Sequence, residues 1–310
     1  MALYPLKFKP IVKPKVWGSE SWLLSGYGED QSIVANGMLR NNSLSEVLEI
    51  YMDDLVGGAV YDRFGYLFPL LFKSIDAQDD LSVQVHPDDD FAAEDDELGK
   101  TEMWYVTHAE NKAAIISGFN KNTNREEVRS LLEINRIADV LQRTEVTEGD
   151  VAFIPAGRVH ALCKGVQVLE IQETSNITFR LYDYQRPGLD GQLRPLHVEQ
   201  SLEVLDYAAV KQPLVQYEQP QNAAVNLIND VHFTSNLLAF DKPVGRNYAA
   251  LDSFVVYLIT QGETEVITEE GKETIRAGEV LLLPAVLNDI RLAPKSPTRL
   301  LEVYILPKNQ

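Results

Sequence analysis

A twelve-residue pattern occurs twice in the chain, as Gly149-Asp-Val-Ala-Phe-Ile-Pro155-Ala-Gly157-Arg-Val-His160 and as Gly278-Glu-Val-Leu-Leu-Leu-Pro284-Ala-Val286-Leu-Asn-Asp289. Each copy reads as a glycine turn, a short apolar strand and a proline turn, and a repeated unit of this kind implies two related β parts. Further short runs fit strands: Leu81–His86, Met103–Val106, Ala113–Ile116, Val166–Ile171, Ile177–Tyr182, Phe254–Ile259 and Leu300–Ile305. They are β-branched or aromatic and bounded by turn residues, the pattern of a sandwich or barrel. The expected fold class is mainly β, with two antiparallel β-barrels and a small α-helical part inserted in or beside the first. The expected division is 1–240 and 241–310, with a linker near Asp230–Val244, where Asn, Asp, Pro and Gly collect. Only the first copy of the repeat ends in Gly and His, so only the first part is expected to hold a metal.

Three helices are expected. Ser43-Leu-Ser-Glu46 resembles a capping box opening a helix from Leu44 to about Leu55, stopped by Gly57-Gly58. A second runs from Asn124 to about Leu132, and a third covers Ile134 to Leu141. The formal net charge of −18 argues against nucleic acid or an anionic membrane as partner. It also means that an anionic substrate needs local cations to hold it. With one cysteine, Cys163, no intrachain disulfide forms. The first residues carry no signal-peptide run, and no stretch approaches the roughly 18–20 apolar residues of a membrane span. The expected location is the cytoplasm.

Side chains alternate along a strand, so Ser82, Gln84 and His86 share one face and Leu81, Val83 and Val85 the other. Three polar groups on one strand face meet water or a ligand. Lys100 and Glu102 share parity if 99–107 is extended, and His160 arrives with the repeat. Taken singly, each of these residues is more often an ordinary surface or hydrogen-bonded group.

The pattern Gly149-x5-Pro155-x-Gly157-x2-His160 resembles the second motif of the cupin superfamily, and Gln84-Val-His86 followed by Glu102 fits the first, with Gln84 where many cupins have His. Both barrels are then expected to be of cupin, jelly-roll type. Two imidazoles, a carboxylate and an amide oxygen suit zinc, with open positions for water or substrate.

Three longer strings sharpen the resemblance: Phe68-Pro-Leu-Leu-Phe-Lys-Ser-Ile-Asp-Ala-Gln-Asp-Asp-Leu-Ser-Val-Gln-Val-His-Pro-Asp88, Gly99-Lys-Thr-Glu-Met-Trp-Tyr105, and Gly157-Arg-Val-His-Ala161 continued by Leu169-Glu-Ile-Gln-Glu-Thr-Ser-Asn-Ile-Thr-Phe-Arg-Leu-Tyr-Asp183. In order, from about Trp17 to His197, the chain resembles class I phosphomannose isomerases, in their compact bacterial form. The resemblance implies one zinc ion per chain, or another divalent metal, held by Gln84, His86, Glu102 and His160. It places active-site roles on Ser82, Lys100, Glu170 and Arg180. The sequence departs at Asn176, where many members have Asp, and at Cys163, where glycine is frequent.

The implied reaction interconverts mannose 6-phosphate and fructose 6-phosphate through an enediol. It needs a base, an electrophile and exclusion of water. The metal supplies the electrophile. Arg180 and Lys100 are cations for phosphate or enediolate, Ser82 lies at the substrate, and Glu170 is either the base or a carboxylate that orients its neighbours. His108, His197 and His232 receive no role, and the acidic stretch from Asp88 to Glu97 reads as a solvated turn or helix start. Two other readings use the same residues: a cupin oxygenase or epimerase with iron or manganese, and a non-catalytic sugar-binding module with a retained metal.

Overall fold

The computed structural model describes residues 2–95 and 97–306. It is mainly β, built from several antiparallel sheets, and it divides into two compact units. One takes the described parts of Met1–Ile11, Leu23–Leu70 and Gln216–Gln310; the other takes Val12–Trp22 and Leu71–Val215.

In the second unit a five-stranded sheet has the order Leu141–Glu145, Ala114–Phe119, His160–Leu162, Val83–Val85, Phe179–Tyr182. A six-stranded sheet has the order Val151–Ile154, Glu102–Ala109, Val166–Glu173, Leu70–Ala77, Gly18–Leu24, Ile11–Lys15. Alternation sorts the side chains of the five-stranded sheet between two cores. Val83, Val85, Ala114, Ile116, Ala161 and Leu181 pack outward with Val128 and Leu202 of helices Arg125–Glu133 and Val198–Val204. Ile115 and Leu162 face the other way and pack with Trp104, Val106, Ile154 and Val168 of the six-stranded sheet. The polar residues Gln84 and His160 therefore lie on the face between the two sheets.

The first unit repeats this style. Its seven-stranded sheet has Thr234–Phe240, Thr298–Tyr304, Val255–Gln261 and Val280–Leu283 as neighbours, and its four-stranded sheet comprises Val244–Asn247, Asp289–Pro294, Glu263–Thr268 and Gly271–Arg276. Tyr257, Leu281, Leu300, Val266 and Leu292 form its core. The repeat corresponds element by element. Gly149 and Gly278 both take a left-handed φ, of 93° and 84°, and are followed by strands Val151–Ile154 and Val280–Leu283. His160 and Asp289 each open the next strand, but His160 is buried and Asp289 is exposed.

Helix Leu44–Val56 begins with the reciprocal Ser43–Glu46 capping box. The helix is kinked at Met52, whose φ of +44° is not helical; Gly57 ends it, and a short helix, Gly58–Phe64, follows at once, its first N–H groups donating to Asp252 at 2.7 and 2.8 Å. Asn124 caps helix Arg125–Glu133. Asp88 caps helix Asp89–Ala92, so the acidic stretch does open a helix, although Asp96 lies outside the described residues.

Three expectations are corrected. The helix Ile134–Leu141 is only a 3₁₀ turn, Ile137–Val140, because Asn135 takes a φ of +55° and Leu141 begins a strand. The linker 230–244 contains the fully buried strand Thr234–Phe240. Leu81 does not share a face with Val83 and Val85; the strand starts at Val83, and Leu81 packs with Trp17 and Trp104.

Glu302 sits fully buried in the first unit. It accepts from Arg246 Nε at 2.8 Å and Nη2 at 2.7 Å, from Asn236 at 2.9 Å and from the Tyr248 hydroxyl. Removing one member of a buried pair strands the other's charge. Arg246→Leu is therefore expected to destabilise the protein by about 3–5 kcal/mol in urea denaturation, and Arg246→Leu with Glu302→Leu to recover most of that loss.

Candidate metal centre and adjoining cavity

Register places the site. His160 pairs with Gln84, and Gln84 with Arg180, so the three stand side by side on adjacent strands. Across from them Glu102 pairs with Gln172, and Trp104 with Glu170. Gly157, at φ +82°, makes the turn before His160; its N–H donates to the His86 carbonyl at 2.9 Å, and a Cβ there would stand 2.9 Å from the Val204 carbonyl oxygen. That turn couples the His86 end of one strand to the His160 end of the next.

His86, Glu102 and His160 are all buried, with one donor atom from each lying within 4.8 Å of the others. The two Nε2 atoms are 3.1 Å apart, Glu102 Oε1 is 3.5 Å from His160 Nε2, and Glu102 Oε2 is 3.6 Å from His86 Nε2. Ligands about 2.0–2.2 Å from a tetrahedral metal stand roughly 3.3–3.6 Å apart, close to this spacing. The Nδ1 of His160 donates to the Arg158 carbonyl at 2.8 Å, which leaves its Nε2 lone pair facing the others.

Neither Glu102 oxygen receives a hydrogen bond of acceptable geometry, although the Lys100 ammonium makes an ion pair with Oε2 at 3.1 Å. Burial pushes the Glu102 carboxyl up to about 7 in the absence of another cation, against the pull of Lys100. Burial holds His86 well below the usual imidazole range and His160 down to about 3, so both rings are neutral at pH 7. Two neutral imidazoles and a carboxylate without a hydrogen bond, all aimed at one point, fit a divalent metal. Gln84 stands beside the group: its amide nitrogen lies 3.3 Å from His160 Nε2, and turning the amide over would put its oxygen there.

Beside this group is a cavity of about 200 Å³, lined by Ser82, Gln84, Lys100, Glu170, Arg180 and other polar residues. Ser82 is buried, with its hydroxyl 3.4 Å from Gln84. Lys100 is drawn to the metal-binding group, its ammonium 3.0 Å from His86 Nε2. Glu170 has both oxygens engaged, Oε1 by Lys73 at 3.0 Å and Oε2 by the Trp104 indole at 2.9 Å. Burial opposes its charge, but the ammoniums of Lys73 and Lys100 and those hydrogen bonds outweigh it and hold the carboxyl down to about 2.

Sequence reasoning missed Lys73. It is buried, lines the cavity and donates to Glu170 and to the Gln172 amide oxygen. The Gln172 amide nitrogen is fixed by the carbonyls of Glu173 and Ser175, at 2.8 and 2.7 Å, which turns its oxygen toward Lys73. A lone lysine inside the apolar run Leu70–Ile75 was the available signal. His197, which received no role, braces the strand of Arg180: its ring accepts from the Arg180 N–H at 3.1 Å and its own N–H donates to the Arg180 carbonyl at 2.8 Å.

Fold and site together define a β-rich protein built around a buried His–Glu–His group able to bind a metal. Residues 7–99 match the family described as phosphomannose isomerase type I, catalytic domain. The chain is 35% identical to the mannose-6-phosphate isomerase ManA of Bacillus subtilis, over 94% of this chain and 96% of that protein. It is 32% identical to a mannose-6-phosphate isomerase of Streptococcus mutans, over 90% and 92%. The crystal structure of the mannose 6-phosphate isomerase from Bacillus subtilis superposes with a TM-score of 0.84 at 26% identity, covering 98% of this chain and 100% of the other. The chain belongs to the type I phosphomannose isomerase family.

Substituting a ligand is expected to empty the site without unfolding the protein. His160→Ala and Glu102→Ala should lose bound divalent metal on dialysis, read by elemental analysis, while the wild type retains it and far-ultraviolet dichroism is unchanged.

Proposed function

We propose that the protein is a zinc-dependent mannose-6-phosphate isomerase that interconverts mannose 6-phosphate and fructose 6-phosphate. The observation that carries this is the convergence of His86, Glu102 and His160 beside a polar cavity, in a chain 35% identical to an isomerase of that name along nearly its whole length. In this reading both units are cupin-type barrels. The part up to residue 240 carries the chemistry and 241–310 is a copy without metal ligands. The enzyme works in the cytoplasm on a soluble sugar phosphate.

His86, Glu102, His160 and the Gln84 amide oxygen would hold the metal, which when bound would supply a Lewis acid for the sugar's reacting oxygens. Isomerisation moves a proton between C2 and C1 through an enediol. Lys100, beside the ligand Glu102, stabilises charge developing on the sugar oxygens, and Ser82 is placed to hydrogen-bond a sugar hydroxyl. Arg180 sits toward the phosphate end. Glu170 acts as an orienter: a carboxylate held down to about 2 is a weak base, and both its oxygens are occupied by Lys73 and Trp104. It helps keep the buried Lys73 charged against the cavity: burial lowers the Lys73 pKa, and the carboxylates of Glu170, Glu20 and Glu102, with the Glu170 hydrogen bond, together raise it above its ordinary value.

A coupled assay for fructose 6-phosphate tests the reading. Activity should vanish on chelation, return with zinc, and be absent in His160→Ala and Glu102→Ala; a metal-free variant with unchanged turnover defeats the mechanism. Glu170→Gln should lower kcat and stability together. In the wild type that carboxylate's stabilising contribution is complete above its unfolded value, about pH 4.3, and is lost as pH falls toward 2. Glu170→Gln should remove this part of the acid dependence of urea stability.

A further inference from the structure

Each lysine of the metal-site cavity has a carboxylate of its own. Lys73 is held by Glu170 at 3.0 Å, Lys100 by Glu102 at 3.1 Å and Lys15 by Glu20 at 3.4 Å. Arg180 differs: among the described residues no hydrogen-bond or ion-pair partner meets its guanidinium. A second guanidinium, Arg194, lines the same cavity. Burial and the Arg194 charge disfavour the Arg180 cation, while the Asp183 carboxylate favours it. In a chain of net charge −18, two guanidiniums lining one cavity mark a place for an anion.

Arg194 is fixed in a way that leaves it able to bind. Its Nε donates to Asp183 Oδ2 at 2.6 Å, and its Nη2 donates to Asp183 Oδ1. Asp183 is only 4% exposed, and Arg186 Nη2 donates to it at 2.9 Å. Arg186 is in turn tied to the Asp80 carbonyl at 2.6 Å and to the Asp79 carboxylate at 3.2 Å. A guanidinium has five N–H donors in a planar fork. With one edge on Asp183, the Nη1 side of Arg194 remains for a second oxyanion, which a lysine ammonium in the same ion pair could not present as a flat, two-donor edge. Arg186 lines the neighbouring apolar cavity and not the metal-site cavity, whereas Arg194 lines both.

We propose that Arg194 is a substrate-binding residue: with Arg180 it clamps the phosphate group of the sugar phosphate, and Asp183 is the positioning residue that aims it. This rests on the sugar-phosphate reading above and assigns the phosphate end of the cavity to the two arginines, leaving Lys100 at the metal end. It also accounts for Asp183, a buried carboxylate outside the metal centre, by giving its two arginines different tasks, Arg194 for the ligand and Arg186 for the tie to Asp79 and Asp80.

Two measurements test this on the zinc-loaded enzyme, a calorimetric titration with inorganic phosphate and steady-state kinetics with mannose 6-phosphate. Arg194→Ala should weaken phosphate binding and raise KM by about tenfold or more, with a smaller change in kcat. Arg194→Lys should recover part of that loss, and Asp183→Asn should lose less than Arg194→Ala. Arg186→Ala disturbs the same carboxylate from the other side and should lower thermal stability while leaving phosphate affinity within about twofold. The proposal is overturned if Arg194→Ala binds phosphate like the wild type, or if Arg186→Ala loses as much affinity as Arg194→Ala. An Arg194-dependent phosphate affinity in a protein that fails to isomerise would uphold the clamp and remove the isomerase reading. Normal isomerisation with no dependence on Arg194 would remove the clamp alone.

Discussion

Everything at the site depends on one electrostatic demand, the burial of the Glu102 carboxylate without a hydrogen bond beside two imidazoles whose free nitrogens face it. A buried carboxylate without hydrogen bonds is costly, and lone pairs about 3 Å apart repel unless a proton or cation lies between them. The Lys100 ammonium answers part of that demand, and a divalent ion shared by all three donors would answer the rest. The two sheets exist, in this sense, to impose the demand. Pairing brings His160 beside Gln84 on one sheet, Glu102 comes from the other, and the apolar rows on either side exclude the water that would otherwise solvate them.

Much of this was legible in the sequence because strand parity is a strict rule. Gln84 faces the site between Val83 and Val85, as alternation requires, and the glycine–proline pattern locates His160 at the start of its strand. Parity failed at Leu81 because it holds only within a strand, and this one begins at Val83. The third helix failed for a different reason. Ile134, Ile137, Val140 and Leu141 have helical spacing, but spacing says nothing of backbone continuity, and the left-handed Asn135 breaks it.

The partners of charged groups were the least legible part. Lys73 sits in a string that drew attention for its neighbours, yet nothing local shows that its ammonium would meet Glu170 and Gln172, which lie about a hundred residues away in sequence. The strand Thr234–Phe240 was hidden in the expected linker because Asn, Asp, Pro and Gly collect around it, and its own first residues are Thr, Ser and Asn. They are buried, and the Asn236 amide has a specific task, donating to Glu302 at 2.9 Å. Polar residues in a short segment mark a linker only when no buried partner is waiting for them.

The two inward carboxylates explain why the repeat has diverged in chemistry while keeping its strands. Glu302 is surrounded by donors from the protein itself: both edges of its carboxylate are taken by Arg246, Asn236 and Tyr248, and Tyr248 is braced in turn by the Tyr257 hydroxyl at 2.6 Å. That network is complete and asks for nothing from outside. Glu102 faces a lysine and two neutral imidazoles, with no hydrogen bond to either oxygen, so its environment is incomplete until a cation arrives. An arginine built into the chain stabilises its unit permanently, whereas a site that must recruit its cation keeps coordination positions open for substrate. The capacity for chemistry follows from leaving one buried charge unsatisfied, in the unit where the repeat kept its histidine.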